Sequence, residues 1–263
     1  MGGRYSKGFT VLETMLFLAI TGALVVGILV GVTASINTQR YRDSVVSLKT
    51  VLQDQYSELG NVYNGRSGSW KCESSATTVE VTDGTSQLRG QSDCVILGRY
   101  ITISNSDITM ATVTGYAPLG ARSSGTDIEI LQADYTLGIS DVDITTSQLE
   151  WGTRIAWPVS GPNQRPAGTP RSIAILLVRS PTSGITYTFT SDNVPPIESV
   201  NNTTLEAMLV EGPGIPGQGG RRLCVESAGL APNAQQAIFI NSFTTNASGI
   251  ETRSNEMGDA DAC

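Results

Sequence analysis

The sequence predicts an α+β fold in which a long N-terminal α-helix, half membrane-spanning and half amphipathic, packs on a predominantly antiparallel β-sheet domain. Three observations predict it. Residues 9–32 form an apolar run of 24 with one charge, Glu13. Next, Tyr41, Val45, Leu48, Leu52, Tyr56 and Leu59 recur at steps of three and four, the period of one helix face. From Val95 onward, short segments rich in Ile, Val and Thr alternate apolar with polar residues, the signature of half-buried strands.

The apolar run is long enough to cross a hydrocarbon core of roughly 30 Å, which needs about 20 residues of helix. Arg4 and Lys7 precede it, and the positive-inside rule places that end in the cytoplasm. The run is too long for a cleaved secretory signal, and no Ala-x-Ala boundary follows it. A single-pass membrane location is therefore expected, with residues 61–263 on the far side as an extracytoplasmic β-rich domain. Glu13 is the anomaly, because a carboxylate within a span is costly and marks a functional site by default. Gly22 lies in the span with Ala23, Gly27 and Gly31, which are spaced at four. They fit a face for close helix packing. The plainer reading is the ordinary tolerance of glycine in membrane helices.

The stripe from Tyr41 to Leu59 covers under three heptads, so it is expected to pack on a sheet of its own chain rather than form a coiled coil. Gly60 and Asn61 supply a stop. Residues 33–60 thus read as an amphipathic continuation of the span, and residues 9–59 as one rod of roughly 75 Å at 1.5 Å per residue.

Composition excludes several functions. The chain has 17 basic and 24 acidic residues, net −7, and loss of Arg4 and Lys7 with a leader takes this to −9. That balance argues against nucleic-acid binding as the main activity, which needs a basic face. There is no histidine, hence neither the commonest general base nor the commonest metal ligand. No catalytic set is visible, and no enzyme, cofactor or metal is expected. Asp141/Asp143 and Asp259/Asp261 are paired carboxylates that fit Ca²⁺ only without EF-hand spacing. Solvated acidic loops are the simpler reading.

Cys72, Cys94, Cys224 and Cys263 include no Cys-x-x-Cys pair, so neither a zinc ribbon nor a dithiol redox site is indicated. An even count beyond a membrane segment suits an oxidising compartment. Of three possible pairings, Cys72–Cys94 and Cys224–Cys263 are favoured because each closes a loop of a few tens of residues. Each then contributes about 3–4 kcal/mol by chain entropy.

In the domain, residues 61–98 read as a loop with one short strand at Thr78–Val81. Further strands are expected at Tyr100–Ser104, Ile108–Thr114, Ile128–Leu131, Trp151–Trp157, Ser172–Arg179, Thr186–Thr190, Arg222–Glu226 and Ala237–Asn241. Ile173–Val178, the most apolar, is expected to be central. Trp70, Trp151 and Trp157 could form a binding surface, although tryptophans in a β-domain are more often core. Asn202-Thr-Thr and Asn246-Ala-Ser match the glycan acceptor pattern, a frequent coincidence in such a chain.

Gly8-Phe9-Thr10-Val11-Leu12-Glu13, after a short basic leader and before the apolar run, resembles the class III signal of type IV pilins and pseudopilins. The resemblance covers about residues 7–60. It implies cleavage after Gly8 by a prepilin peptidase, with residues 1–8 removed as leader. It also implies N-methylation of Phe9, and an assembly role for Glu13 as partner of the new α-amino group on a neighbouring subunit. The implied partners are the lipid bilayer before assembly, a membrane assembly platform, and other pilin subunits in a homo- or hetero-filament. The final location is then an extracellular filament or the periplasm. The family's helix-breaking proline is missing, since no proline precedes Pro118. Three functions follow: a major or minor subunit of a type IV pilus-like filament; a minor pseudopilin of a type II secretion or DNA-uptake system; or, from another class, an uncleaved bitopic surface protein that binds a ligand. Residues Arg222–Leu230 followed by Ala237–Ile240 weakly resemble the paired terminal strands of minor H-type pseudopilins.

Overall fold

The computed structural model describes residues 10–60, 70–74, 79–83, 94–118, 124–159, 165–209, 221–230, 236–241, 244–254 and 263. Gly8, Phe9, Asp259 and Asp261 lie outside the described residues, as does the side chain of Trp70. The fold is α+β, a long N-terminal helix with antiparallel sheets.

Helix α1 runs unbroken over Val11–Gly60, 50 residues. It buries Tyr41, Ser44, Val45, Leu48, Leu52, Gln55, Tyr56 and Leu59. The six apolar residues of the predicted stripe are all among them. The domain carries strands β1 (Trp70–Ser74), β2 (Val79–Asp83), β3 (Cys94–Ser104), β4 (Asp107–Tyr116), β5 (Thr136–Ile139), β6 (Thr145–Gln148), β7 (Arg154–Ala156), β8 (Ser172–Arg179), β9 (Thr186–Ser191), β10 (Arg221–Glu226), β11 (Gln236–Ile240) and β12 (Ile250–Ser254). Two short helices are added, α2 (Asp127–Asp134) and α3 (Asn202–Met208). One six-stranded sheet has the order β5-β4-β3-β8-β9, with β6 also paired to β4. A four-stranded sheet has the order β12-β11-β10-β7, and β1 pairs β2 in a separate hairpin.

The amphipathic half of α1 is the shared element of the first core. Its stripe packs with Ile101, Ile103, Ile173, Ile175 and Leu177 of the larger sheet, and with Leu223, Val225, Ile238, Ile240 and Ile250 of the smaller one. The opposite face of the larger sheet forms a second core with α2 and α3, through Tyr100, Ala174, Leu176, Val178, Leu131 and Leu205. Strand β8 thus sends Ile173, Ile175 and Leu177 to one core and Ala174, Leu176 and Val178 to the other. That explains its continuous apolar run, because a strand covered on both faces has no polar alternation. It lies inside the sheet, between β3 and β9, as expected. At Gly98, beside a register shift in β3, a Cβ would strike the Leu177 carbonyl, so the strands approach closely only with glycine there.

Several expectations are corrected. Ile128–Leu131 is not a strand but the body of α2, started by a capping box in which Thr126 and Glu129 each satisfy the other's backbone N–H. Only Arg154–Ala156 of the expected strand Trp151–Trp157 is extended, because Glu150–Gly152 is a 3₁₀ turn. Trp151 is half exposed rather than core. Of the two glycan patterns, only the first has its amide nitrogen engaged. Asn202 Oδ1 accepts from the Leu137 N–H at 2.6 Å while its Nδ2 donates to Glu206, and Asn246 caps a turn by accepting from the Ser248 N–H.

Both disulfides join the expected partners, Cys72 to Cys94 with Cα atoms 6.1 Å apart and Cys224 to Cys263 with Cα atoms 5.5 Å apart. The first ties β1 to the start of β3; the second ties the last residue to β10.

Tyr100 is fully buried, and its hydroxyl has no hydrogen-bond partner among the described residues. Burial pushes its pKa up to about 12. A buried hydroxyl left unpaired carries a desolvation penalty of about 1–3 kcal/mol, which removal of the oxygen relieves. Tyr100→Phe is therefore expected to raise stability by about 1 kcal/mol, read as a higher urea midpoint at unchanged slope.

Candidate functional site

The candidate site is the N-terminal half of α1. From Val11 to Val32, fourteen large apolar side chains are each 50–75% exposed. Transferring a side chain of this size from water is worth about 1.5–3 kcal/mol, so the rod leaves on the order of 20–40 kcal/mol of hydrophobic free energy to be gained by covering it. A soluble monomer rarely exposes more than a few hundred Å² of contiguous apolar surface. The helix is long and apolar enough to cross a membrane, and none of its apolar window is buried by the domain.

The polar atoms along the rod are already satisfied within it. Thr14 Oγ1 donates to the Val11 carbonyl at 2.8 Å, Thr21 Oγ1 to Phe17 at 2.9 Å and Thr33 Oγ1 to Leu29 at 2.8 Å. Each hydroxyl returns to a carbonyl three or four residues earlier, so none faces hydrocarbon unpaired.

Glu13 has a partner in its own chain. Its Oε2 accepts from the Thr10 N–H at 2.9 Å and from Thr10 Oγ1 at 3.1 Å, while the Thr10 hydroxyl accepts from the Glu13 N–H at 3.3 Å. This is a capping box, with the threonine and glutamate three apart. Its sequence signature is Thr10-Val11-Leu12-Glu13. The carboxylate also sits in the first turn, where the positive end of the helix macrodipole favours it.

Gly22, Gly27 and Gly31 have open space around them: a Cβ at any of the three would meet nothing within 4 Å. Nothing else in the described chain calls for glycine at these positions. Ala23 is likewise exposed.

Of the paired carboxylates, only Asp141 and Asp143 fall among the described residues. Asp143 is held by Arg99 at 3.3 Å and by Thr112, and Arg99 also pairs with Glu58 of α1. Among the described residues no three acidic, cysteine or histidine side chains gather as a candidate metal site.

Compared with known proteins, the chain matches no family model, no curated protein and no solved structure.

Proposed function

We propose that this chain is a structural subunit of a type IV pilus-like filament. It is held in the membrane by residues 9–32 after cleavage behind Gly8, and it polymerises through α1. The observation that carries the reading is the exposed apolar rod with a single carboxylate, Glu13, at its N-terminal end, continuous with an amphipathic half built into the domain core. A membrane covers such a rod before assembly, and neighbouring rods cover it afterwards. In the separate chain Glu13 is occupied by Thr10. Cleavage would place a new α-amino group four residues before it, available to the carboxylate of a staggered neighbour. Exchange of the intrachain cap for that ion pair would then reward one register between subunits.

N-terminal sequencing of the protein from membranes tests the class. A mature chain beginning at Phe9 with an N-methyl group is expected, and an intact Met1 sinks the proposal. The role of Glu13 is tested by co-expressing Glu13→Val with the unaltered chain. Losing one partner of a buried ion pair costs about 3–5 kcal/mol, so incorporation of the variant is expected to fall by at least tenfold. Equal incorporation would remove the pairing role.

A further inference from the structure

Trp151 is displayed where a folded chain has least reason to put it. It is half exposed, on a 3₁₀ turn, at φ 58, a backbone region that bulky side chains rarely occupy. The turn is fixed on α1 from below: the hydroxyls of Thr153 and Ser44 share a buried hydrogen bond, and Thr153 Oγ1 also donates to the Glu150 carbonyl at 2.9 Å. The indole lies over the Arg40 guanidinium, 4.6 Å from ring centroid to Cζ.

Its height along the rod is set by the helix. Among the described residues Tyr41 is the first of α1 to be buried, with Asn37, Thr38 and Arg40 part-buried just before it, so Arg40 and Trp151 lie near the end of the described domain that faces the apolar half. No charged residue occurs between Glu13 and Arg40. Those 27 steps measure about 40 Å at 1.5 Å each. A bilayer is about 40–45 Å thick with its headgroup layers included. With Glu13 at one interface, Arg40 and Trp151 fall in the headgroup layer of the other.

We infer that Trp151, with Arg40 beneath it, seats the domain in the outer headgroup layer of the bilayer. Tryptophan favours that layer because its body is apolar and its N–H remains wet, and an arginine stem lies along apolar surface while its head stays in water. On the two described segments that meet here, Arg40 and Arg42 are matched in number by the exposed acids Asp43 and Glu150. The partner is therefore the interfacial layer itself rather than an anionic lipid captured by charge. Strain at a displayed side chain is a mark of use. The inference rests on α1 spanning the bilayer, and its test separates the two.

The full chain is reconstituted in vesicles of phosphatidylcholine and phosphatidylglycerol. Trp70→Phe and Trp157→Phe leave Trp151 as the sole indole, and a sister chain adds Trp151→Phe and Leu24→Trp to report on the span. Headgroup-labelled nitroxide lipid is expected to quench Trp151 about threefold more than mid-chain nitroxide, and the order is expected to reverse for Leu24→Trp, as depths at the aromatic belt and the bilayer centre require. Trp151 unquenched by either label while Leu24→Trp responds overturns the seating and leaves the span standing. Failure of both overturns the span as well. Protection of Trp151 from iodide in lipid-free filaments, without lipid quenching in vesicles, would assign it to a neighbouring subunit and also overturn the inference. Should the phenylalanine background lose its near-ultraviolet circular dichroism, 5-fluorotryptophan in the native chain gives the same readout by paramagnetic broadening, with Trp151→Phe as assignment.

Discussion

Replacing Asp192 by alanine is expected to cost about 3–5 kcal/mol of folding stability, more than removing the arginine it faces. Arg171 is 3% exposed. Its Nε and Nη2 both donate to Asp192 Oδ1, at 3.1 and 2.6 Å, its Nη1 donates to the Arg222 carbonyl at 2.7 Å, and its Cζ lies 4.5 Å from the Trp157 ring centroid. Burial pushes the guanidinium pKa below its ordinary value, and Asp192 opposes that shift. The alanine variant strands a buried cation with one carbonyl and a ring face. Arg171→Met leaves Asp192 30% exposed and still 3.4 Å from Arg221 Nη1, so the loss is expected to be smaller, about 1–3 kcal/mol. Urea titration of both variants measures the asymmetry. Equal losses, or less than about 1 kcal/mol for Asp192→Ala, would mean that the pair contributes no more than a surface salt bridge. The cluster joins the start of β8 and the end of β9 to β10, so it also fastens one sheet to the other.

A chain beginning at Asn37 is expected to fold as a soluble domain, whereas one beginning at Asn61 is expected not to fold. Residues 11–36 touch no part of the core and are exposed, apart from Thr21. Tyr41, Val45, Leu48, Leu52, Tyr56 and Leu59 supply the side of the first core that both sheets face. At about 1.5–3 kcal/mol each, their burial amounts to roughly 9–18 kcal/mol. Whole domains are stable by only about 5–15 kcal/mol. Thermal unfolding followed by circular dichroism separates the two truncations. A cooperative transition in the chain from Asn61 would show that the helix decorates the core rather than completing it.

The helix and its stripe were legible because both signals are local. Apolar length and a spacing of three and four need no knowledge of partners, and all six stripe residues are buried. Strand β8 was legible for the same reason, since a strand covered on both faces writes its burial into consecutive residues. Where reading failed, a neighbour decided. Ile128–Leu131 has strand-like composition, but the Thr126–Glu129 capping box starts a helix there. The seven residues of α3 have no apolar period long enough to see, and their start rests on Asn201 accepting from the Thr204 N–H. Residue type alone favours the core over a binding surface for Trp151. The turn that carries it is joined to α1 by the buried Ser44–Thr153 bond, a contact between residues 109 apart in sequence. In the candidate site the span and Glu13 are legible in the sequence, whereas the intrachain role of Glu13 depends on the cap geometry of Thr10, three residues before it.

The unbroken course of α1 makes the apolar half and the domain one rigid lever. Gly60 lies about 42 Å beyond Val32 along the same axis, so a 10° tilt carries it sideways by about 7 Å. Spans longer than the local hydrocarbon thickness relieve the mismatch by tilting. Without a proline or other break to absorb that angle, bilayer thickness is converted directly into the lateral reach of the domain. The same molecule would then present its outer surface at different offsets in thin and thick membranes.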